Sequence, residues 1–410
     1  MALIVQKYGG TSVGSIERIR AVAERVARAR KHGDRIVAVV SAMAGETNRL
    51  LKLAGELSDS PNQRECDALA ATGEQVTSAL LAIRLAAMGF PAVSFLGFQL
   101  GITTDSSHGR ARIKSVDSAR AMAALEAGKI VVVAGFQGVD PSGDITTLGR
   151  GASDLTAVAI AAALNADACE IYTDVDGVYT GDPNICLNAK KLERISYEEM
   201  LEMAGLGAKV LQLRSVEMAR RYNVALVVRS SFSEAPGTWV GQEDRTMEDV
   251  LVSGVTLDSN QSKITIAGVE DRPGLAARIF GPIAAAGISV DMIIQNAGAD
   301  GRTDMTFTVG REDQRRALEI VKRLAGEIAA GGIRYEDQVA KVSVVGIGMR
   351  SHAGVAAKMF EVLAKEKINI EMISTSEIKV SVVVDAKQGE RAMRTLHDAF
   401  IGGEPPPEAA

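Results

Sequence analysis

From residue 4 to about residue 235 the chain alternates short β-branched runs with longer stretches whose apolar residues recur every three or four positions. Ile4–Lys7, Ile36–Val40, Ala92–Leu96, Ile130–Ala134 and Ala168–Tyr172 are bounded by Gly, Asp or Ser and read as buried strands. Glu17–Lys31, Glu65–Met88 and Asp117–Ala127 carry the helical period between them. Such alternation predicts an α/β fold with a mostly parallel sheet covered on both faces. Ligands of such sheets collect at the carboxyl ends of the strands. That rule gathers Lys7, Ser41, Gly135 and Thr173-Asp174 along one edge.

Beyond residue 235 the texture changes. Pro236-Gly237-Thr238 and the charged Gln242–Asp249 stretch read as a connection, and an internal repeat follows. Lys263–Gly268 is answered by Lys341–Gly346, Gly274–Phe280 by Gly354–Phe360, and Gly287–Ile293 by Lys367–Ile373. Each copy reads as strand, glycine turn, amphipathic helix and strand, which predicts two small α+β units side by side. The expected division is a first domain over 1–245, repeat units over 263–340 and 341–402, with a strand near 250–258 available to the second, and a disordered tail at 403–410.

Composition narrows the class. Hydrophobic content of 47% and charged content of 24% are ordinary for a globular protein, and aromatics are only 4%. A net charge of -5 with no basic stripe speaks against a nucleic-acid binder. Cys66, Cys169 and Cys186 have no metal-like or disulfide-framework spacing, and no signal peptide is evident, so a reducing cytoplasm is expected. Apolar runs such as Ala157–Leu164 are too short to span a bilayer.

Four segments carry candidate chemistry. In the first, Lys7-Tyr-Gly-Gly-Thr-Ser-Val-Gly14, a strand stops at a glycine turn before a helix starting near Ile16. Backbone N–H groups at a helix N-terminus beside a lysine suit a phosphate; the alternative is an ordinary tight turn. It is not a Walker A loop, because Lys7 precedes the glycines. In the second, Ser41–Asn48, the hydroxyls either hold a small polar ligand or cap the next helix. In the third, Thr147–Asp154, Arg150 in a glycine turn suits a carboxylate, while Ser153 or Asp154 reads equally as an N-cap. In the fourth, Ile171–Pro183, acidic residues at a strand end suit Mg²⁺ or a nucleotide, without the pattern of an EF-hand. Glu74 is a further candidate. His32, His108, His352 and His397 are scattered and support no nucleophilic triad.

Taken together, these segments resemble the aspartokinase branch of the amino-acid kinase family. Lys7–Gly14, Ser41–Gly45 with Thr47-Asn48, Gly73-Glu74, Gly149–Asp154, Thr173-Asp174 and Gly207–Leu211 occur in that family's order, and the tail repeats are similar to its paired regulatory ACT domains, most typically over Gly346–Ile373 and Ser374–Lys379. Ala152 departs from the family's usual glycine. The resemblance implies a three-layer kinase sandwich followed by two ferredoxin-like units. It implies ATP-dependent phosphorylation of L-aspartate to 4-phospho-L-aspartate, the first step toward lysine, threonine and methionine, with Mg²⁺ arriving on the ATP.

By the same resemblance, Lys7, Arg150 and Asp174 are catalytic. Lys7, Tyr8, Gly9, Gly10, Ser41, Thr173, Asp174, Tyr179, Asp182 and Lys209 serve ATP. Ser41, Thr47, Glu74, Arg150, Gly151, Ser153 and Asp154 serve aspartate, with Glu74 on its ammonium. Lysine and threonine are the expected effectors, at Asp271, Pro273, Gly274, Ala276, Gln295 and Asn296 in one unit and Met349, His352, Gly354, Val355, Asn369, Ile370, Thr375, Ser376 and Glu377 in the other. The partners implied are a second copy, as a homodimer, or a short β subunit started at Met247, as α2β2. No protein metal ligand, nucleic acid or membrane is implied. A sister kinase for another carboxylate and a non-catalytic amino-acid sensor are the alternatives.

Overall fold

The computed structural model describes residues 1–208, 210–243, 252–298, 301–351 and 354–402. Lys209, Met247, His352 and the tail 403–410, each named above, lie outside the described residues, as do the side chains of 297, 350 and 351. The chain forms two compact units, the first from Met1–Tyr179, Lys191–Gly205 and Lys209–Arg245, the second from Thr180–Lys190, Leu206–Ala208 and Thr246–Ala410.

The first unit opens with β1 (Leu3–Tyr8), α1 (Ile16–Lys31), β2 (Arg35–Val40), α2 (Glu46–Leu57), α3 (Gln63–Ala70), α4 (Thr72–Ala87) and β3 (Ala92–Phe95). Then come β4 (Thr103–Thr104), β5 (Ile113–Ser115), α5 (Ala119–Glu126), β6 (Ile130–Ala134), β7 (Gln137–Val139) and β8 (Ile145–Thr147). It closes with α6 (Ser153–Leu164), β9 (Ala168–Thr173), β10 (Arg194–Ser196), α7 (Tyr197–Gly205), α8 (Leu213–Tyr222), β11 (Leu226–Ser230) and β12 (Thr238–Gly241).

Among the described residues its main sheet runs β10-β12-β11-β9-β1-β2-β6-β3, parallel except for the β11–β12 pair. Ile36, Ala38 and Val40 face α1 and α4, whose Ile19, Val22, Val26, Leu81 and Leu85 complete one buried layer. Alternation sends Val5 and Lys7 to the opposite face, where α6 lies. Residues of β6 are all buried, as a strand covered on both faces requires. A second, small sheet runs β5-β4-β7-β8. Its strands of two or three residues are too short to show a period in sequence.

The helix read over Glu65–Met88 is two helices that meet at Ala71. Thr72 Oγ1 donates to the Leu69 carbonyl at 2.7 Å, and Gly73 lies so close to Ala42 that a Cβ there would stand 2.7 Å from the Ala42 Cβ. Apolar spacing continues through such a break, because it reports faces and not the backbone turn that tight contact requires.

The second unit holds β13 (Gly254–Glu270), α9 (Leu275–Ala285), β14 (Val290–Ala297), β15 (Arg302–Gly310), α10 (Gln314–Ala325), β16 (Gly332–Val345), α11 (Val355–Lys365), β17 (Met372–Thr375), β18 (Lys379–Asp385) and α12 (Gly389–Phe400). Its antiparallel sheet runs β14-β15-β13-β16-β18-β17. One core gathers Ile264, Ile279, Phe307 and Val321, the other Val255, Val342, Met359, Leu363 and Leu396. Gly274 and Gly354, equivalent in the repeat, precede α9 and α11 at φ 90° and 105°. That left-handed backbone is why both copies keep glycine there.

Thr180–Lys190, in mid-sequence of the stretch read as the first domain, packs within this second unit. Val255 N–H donates to the Thr180 carbonyl at 2.8 Å, Cys186 joins the core of Val255, Met393 and Leu396, and Asn188 Nδ2 donates to Asp398 at 2.8 Å. Lys190 N–H donates to Thr180 Oγ1, which also hydrogen-bonds Nε2 of buried His397, 2.9 Å away. Burial holds the His397 pKa below its ordinary value, which favours the neutral ring.

Candidate active site

The site begins at the carboxyl end of β1. Gly9 N–H donates to the Tyr172 carbonyl at 3.2 Å, pinning the turn to β9. A Cβ at Gly10 would stand 3.0 Å from the Ala42 carbonyl oxygen, and one at Gly9 would stand 3.4 Å from Lys7 Nζ. The glycines therefore leave space beside the lysine that a side chain would fill. Lys7 Nζ pairs with Asp154 Oδ1 at 2.6 Å, both side chains about nine-tenths enclosed. Tyr8 is fully buried and stacks on Tyr172, so it belongs to the core.

Asp154 is not a helix cap. The cap of α6 is Ala152, with no side-chain bond, and Ser153 and Asp154 sit in its first turn. Asp154 is engaged with Lys7, and Ser153 packs where a Cβ on Gly135 would meet its Oγ at 2.8 Å. Ala152 takes a negative φ and buries its methyl with Ala111, Leu148 and Leu155, so the departure from glycine fits without strain. Capping by the hydroxyls of Ser41–Asn48 is likewise absent: the cap of α2 is Gly45, at φ 83°.

Ser41, Thr47, Glu74, Arg150, Gly151, Ser153 and Gly10 instead line a single cleft of ≈ 480 Å³, a volume suited to a small ligand. Arg150 stands exposed between Gly149 and Gly151, at φ 92° and 73°, and donates to Asn48 Oδ1 at 3.2 Å. Glu74 is 3% exposed. Its Oε1 accepts from Ala42 N–H at 3.0 Å, while Oε2 is buried with no hydrogen-bond partner. Burial pushes its carboxyl pKa up to about 7, against the lowering effect of the Ala42 N–H. A buried carboxylate oxygen without a donor, at the wall of a cleft, is a seat for a cation.

Gly10 and Ser41, both also assigned to ATP, belong to that lining, whereas Thr173, Asp174, Tyr179 and Asp182 are not part of it. Thr173 Oγ1 donates to Asp174 at 3.0 Å at the end of β9, and Asp174 is exposed. Tyr179 OH donates to Asp176 at 2.9 Å, and Lys191 holds the other oxygen of Asp176 at 3.3 Å. Asp182 belongs to the second unit, where it accepts from Asn184 N and Nδ2, both at 2.9 Å. In that unit Asp271 accepts from Gln295 Nε2 at 3.3 Å. Pro273, Gly274, Ala276, Asn296, Gly354, Asn369, Thr375, Ser376 and Glu377 are exposed, Met349 and Ile370 are half-buried, and Val355 is a core residue.

Sequence reasoning missed the far wall of the cleft. Gln63, Cys66, Asp67, Thr147 and Phe136 line it, with Asp67 held by His108 and Thr147. Gln63, Cys66 and Asp67 share one face of α3, but Phe136 and Thr147 come from distant segments, and no spacing rule joins the two groups.

Comparison with known proteins agrees with this geometry. A profile of the amino acid kinase family matches residues 2–230, and ACT domain profiles match 263–326 and 342–400. The chain is 58% identical over 402 residues to an aspartokinase of Pseudomonas aeruginosa, covering 98% of both chains. It is 51% identical over 410 residues to an aspartokinase of Corynebacterium glutamicum, covering 98% of this chain and 97% of that one. Escherichia coli aspartokinase III, solved with aspartate and ADP in an R-state, superposes with a TM-score of 0.82 at 26% identity, over 97% of this chain and 99% of the other. The same enzyme with lysine and aspartate, in a T-state, gives 0.76 at 27% identity, over 97% and 99% of the chains.

Proposed function

We propose, from the premise that this chain belongs to the amino acid kinase family and within it to the aspartokinases, that the cleft takes L-aspartate, that ATP phosphorylates its side-chain carboxylate, and that lysine and threonine feed back through the ACT units. The observation that carries the reading is the pairing of opposite needs in one cleft. Glu74 presents an unpartnered buried oxygen suited to an ammonium, and Arg150 presents a planar fork suited to a carboxylate. An amino acid with an extra carboxylate satisfies both.

The chemistry asks little of a base. A carboxylate is already ionised at pH 7, so the attacking oxygen needs no proton removed. The barrier lies in bringing one anion to another, and catalysis rests on positioning and on neutralising charge. Lys7, beside the Gly9-Gly10 turn, stabilises negative charge on the transferring group, and Asp154 keeps the ammonium of Lys7 aimed. Ser41 and Thr47 hold the substrate between the two ends, and Gly151 and Ser153 complete its wall. Thr173, Asp174, Tyr179, Asp182 and Lys209 serve the nucleotide. Mg²⁺ comes with the ATP, held by its phosphates and water.

Regulation follows from the second unit. The E. coli relative was solved with lysine, and here the glycine turns before α9 and α11 present helix N-termini to a carboxylate. Among the described residues β14 and β17 are unpaired sheet edges, surfaces on which a second copy adds. The assembly is at least a dimer, and one polypeptide or two in the purified enzyme distinguishes the homodimer from α2β2. Free, buried cysteines suit a cytoplasmic enzyme, and among the described residues no helix is long and apolar enough to cross a membrane.

An ATP-dependent hydroxamate assay tests the reading. Aspartate should be the substrate, glutamate poor and N-acetylglutamate inert, because an acetylated nitrogen leaves Glu74 buried without a cation. Lysine and threonine, titrated singly and together, should inhibit. Turnover of acetylglutamate in place of aspartate would overturn the substrate, and indifference to both effectors would overturn the regulation. In the same assay Arg150→Lys should raise the KM for aspartate by about tenfold or more through loss of the bidentate fork, with the KM for ATP unchanged. A rise confined to ATP would move Arg150 to the nucleotide side.

A further inference from the structure

Asp67, on α3, is the most heavily engaged carboxylate of the cleft wall, with a side chain only 3% exposed. Four donors converge on it. Gly109 N–H reaches both oxygens at 3.0 Å, His108 Nδ1 and Thr147 N–H reach Oδ2 at 2.9 and 3.0 Å, and Thr147 Oγ1 donates to Oδ1. The carboxylate thus ties α3, the turn at His108-Gly109 and the last residue of β8 into one knot. Thr147 is followed directly by Leu148-Gly149-Arg150. Arg214 clamps the same strand end, donating to the Leu148 carbonyl at 2.6 Å and the Ala111 carbonyl at 2.9 Å.

We propose that Asp67 is a positioning residue for the amino-acid substrate, acting through Thr147. A carboxylate can only accept, so the Thr147 hydroxyl must spend its hydrogen on Asp67. The oxygen then offers the cleft lone pairs alone, the same polarity as Glu74 and the one an ammonium requires. The knot also fixes where β8 ends, and so where the Arg150 turn begins. None of these hydrogen bonds involves the glycine turn beside Lys7. This inference rests on the reading that the cleft takes aspartate.

The two readings fail differently. If the wild-type enzyme does not phosphorylate aspartate, the reading of the cleft falls and this inference with it. If it does, Asp67→Asn, Thr147→Val and Thr147→Ser decide the inference. In Asp67→Asn the amide donates where the carboxylate accepted, and the Thr147 hydroxyl turns its hydrogen outward. The expected result is a KM for aspartate raised tenfold or more in Asp67→Asn and Thr147→Val, a KM for ATP within twofold of wild type in both, and Thr147→Ser close to wild type for each substrate. A merely structural role would move both KM values together or lower kcat alone, and either result overturns the proposal, as does a KM for aspartate that stays within twofold. Should Asp67→Asn fail to fold, Thr147→Val against Thr147→Ser decides on the same split, since both keep Asp67.

Discussion

Lys7→Met should lose about 10³-fold or more of its turnover at saturating substrates, the range seen when a charged group facing a transferring phosphoryl is removed. The variant should also be less stable. Lys7 and Asp154 are both enclosed, so removing the lysine leaves Asp154 with an unbalanced buried charge, a defect worth about 3–5 kcal/mol. Lost activity must therefore be told apart from lost fold. The double variant Lys7→Met, Asp154→Asn removes both charges and should recover most of the thermal midpoint while recovering none of the turnover. Circular dichroism melts beside the hydroxamate assay check this. A single variant that keeps a tenth of wild-type turnover sinks the assigned role, and so does a double variant that regains activity with stability.

Glu74→Gln should do two opposite things. The side chain is buried, its Oε2 has no donor, and its carboxyl pKa stands at about 7 against an ordinary 4.5. Between those two values the folded protein holds the proton more tightly than the unfolded chain does. Stability of the substrate-free enzyme therefore falls as pH rises through that window, and the whole cost is present above about pH 7. It amounts to at most about 3 kcal/mol. Gln keeps the acceptor for Ala42 N–H and carries no charge. Its thermal midpoint should exceed that of the wild type at pH 8, and the difference should vanish near pH 4.5. Binding of aspartate should suffer in the same variant, with KM raised about a hundredfold through loss of the charged partner for the ammonium. For the wild type, KM for aspartate should fall as pH rises through about 7 and Glu74 ionises. A wild-type KM flat between pH 6 and 8, or a variant less stable at pH 8, would contradict the account.

What was legible in the sequence is what rests on local pattern. Strands such as Ile130–Ala134 are β-branched and buried on both faces, and their ends bring Lys7 and Ser41 to one edge of the sheet. The repeat was legible because left-handed turns hold glycine at 274 and 354. The rest depends on contacts between distant segments. Asp67 meets residues 41 and 80 positions away, and nothing in its own helix marks it. The break at Ala71 follows from the close approach of Gly73 to Ala42. The cap offered by Ser153 or Asp154 does not form: a carboxylate suited to capping is equally suited to a lysine, and only the fold decides that Asp154 pairs with Lys7.

The segment Thr180–Lys190 bears on how such enzymes exchange their halves. A hybrid gene joined at one point after residue 245 would bring a foreign sheet and helices but keep the native loop. Cys186 would then face a core it did not evolve with, the Thr180 carbonyl would meet a foreign strand in place of Val255, and Thr180 Oγ1 would meet whatever residue stands in place of His397. Inheritance of the regulatory half is thus two-part, and a successful graft carries the short loop along with the long tail.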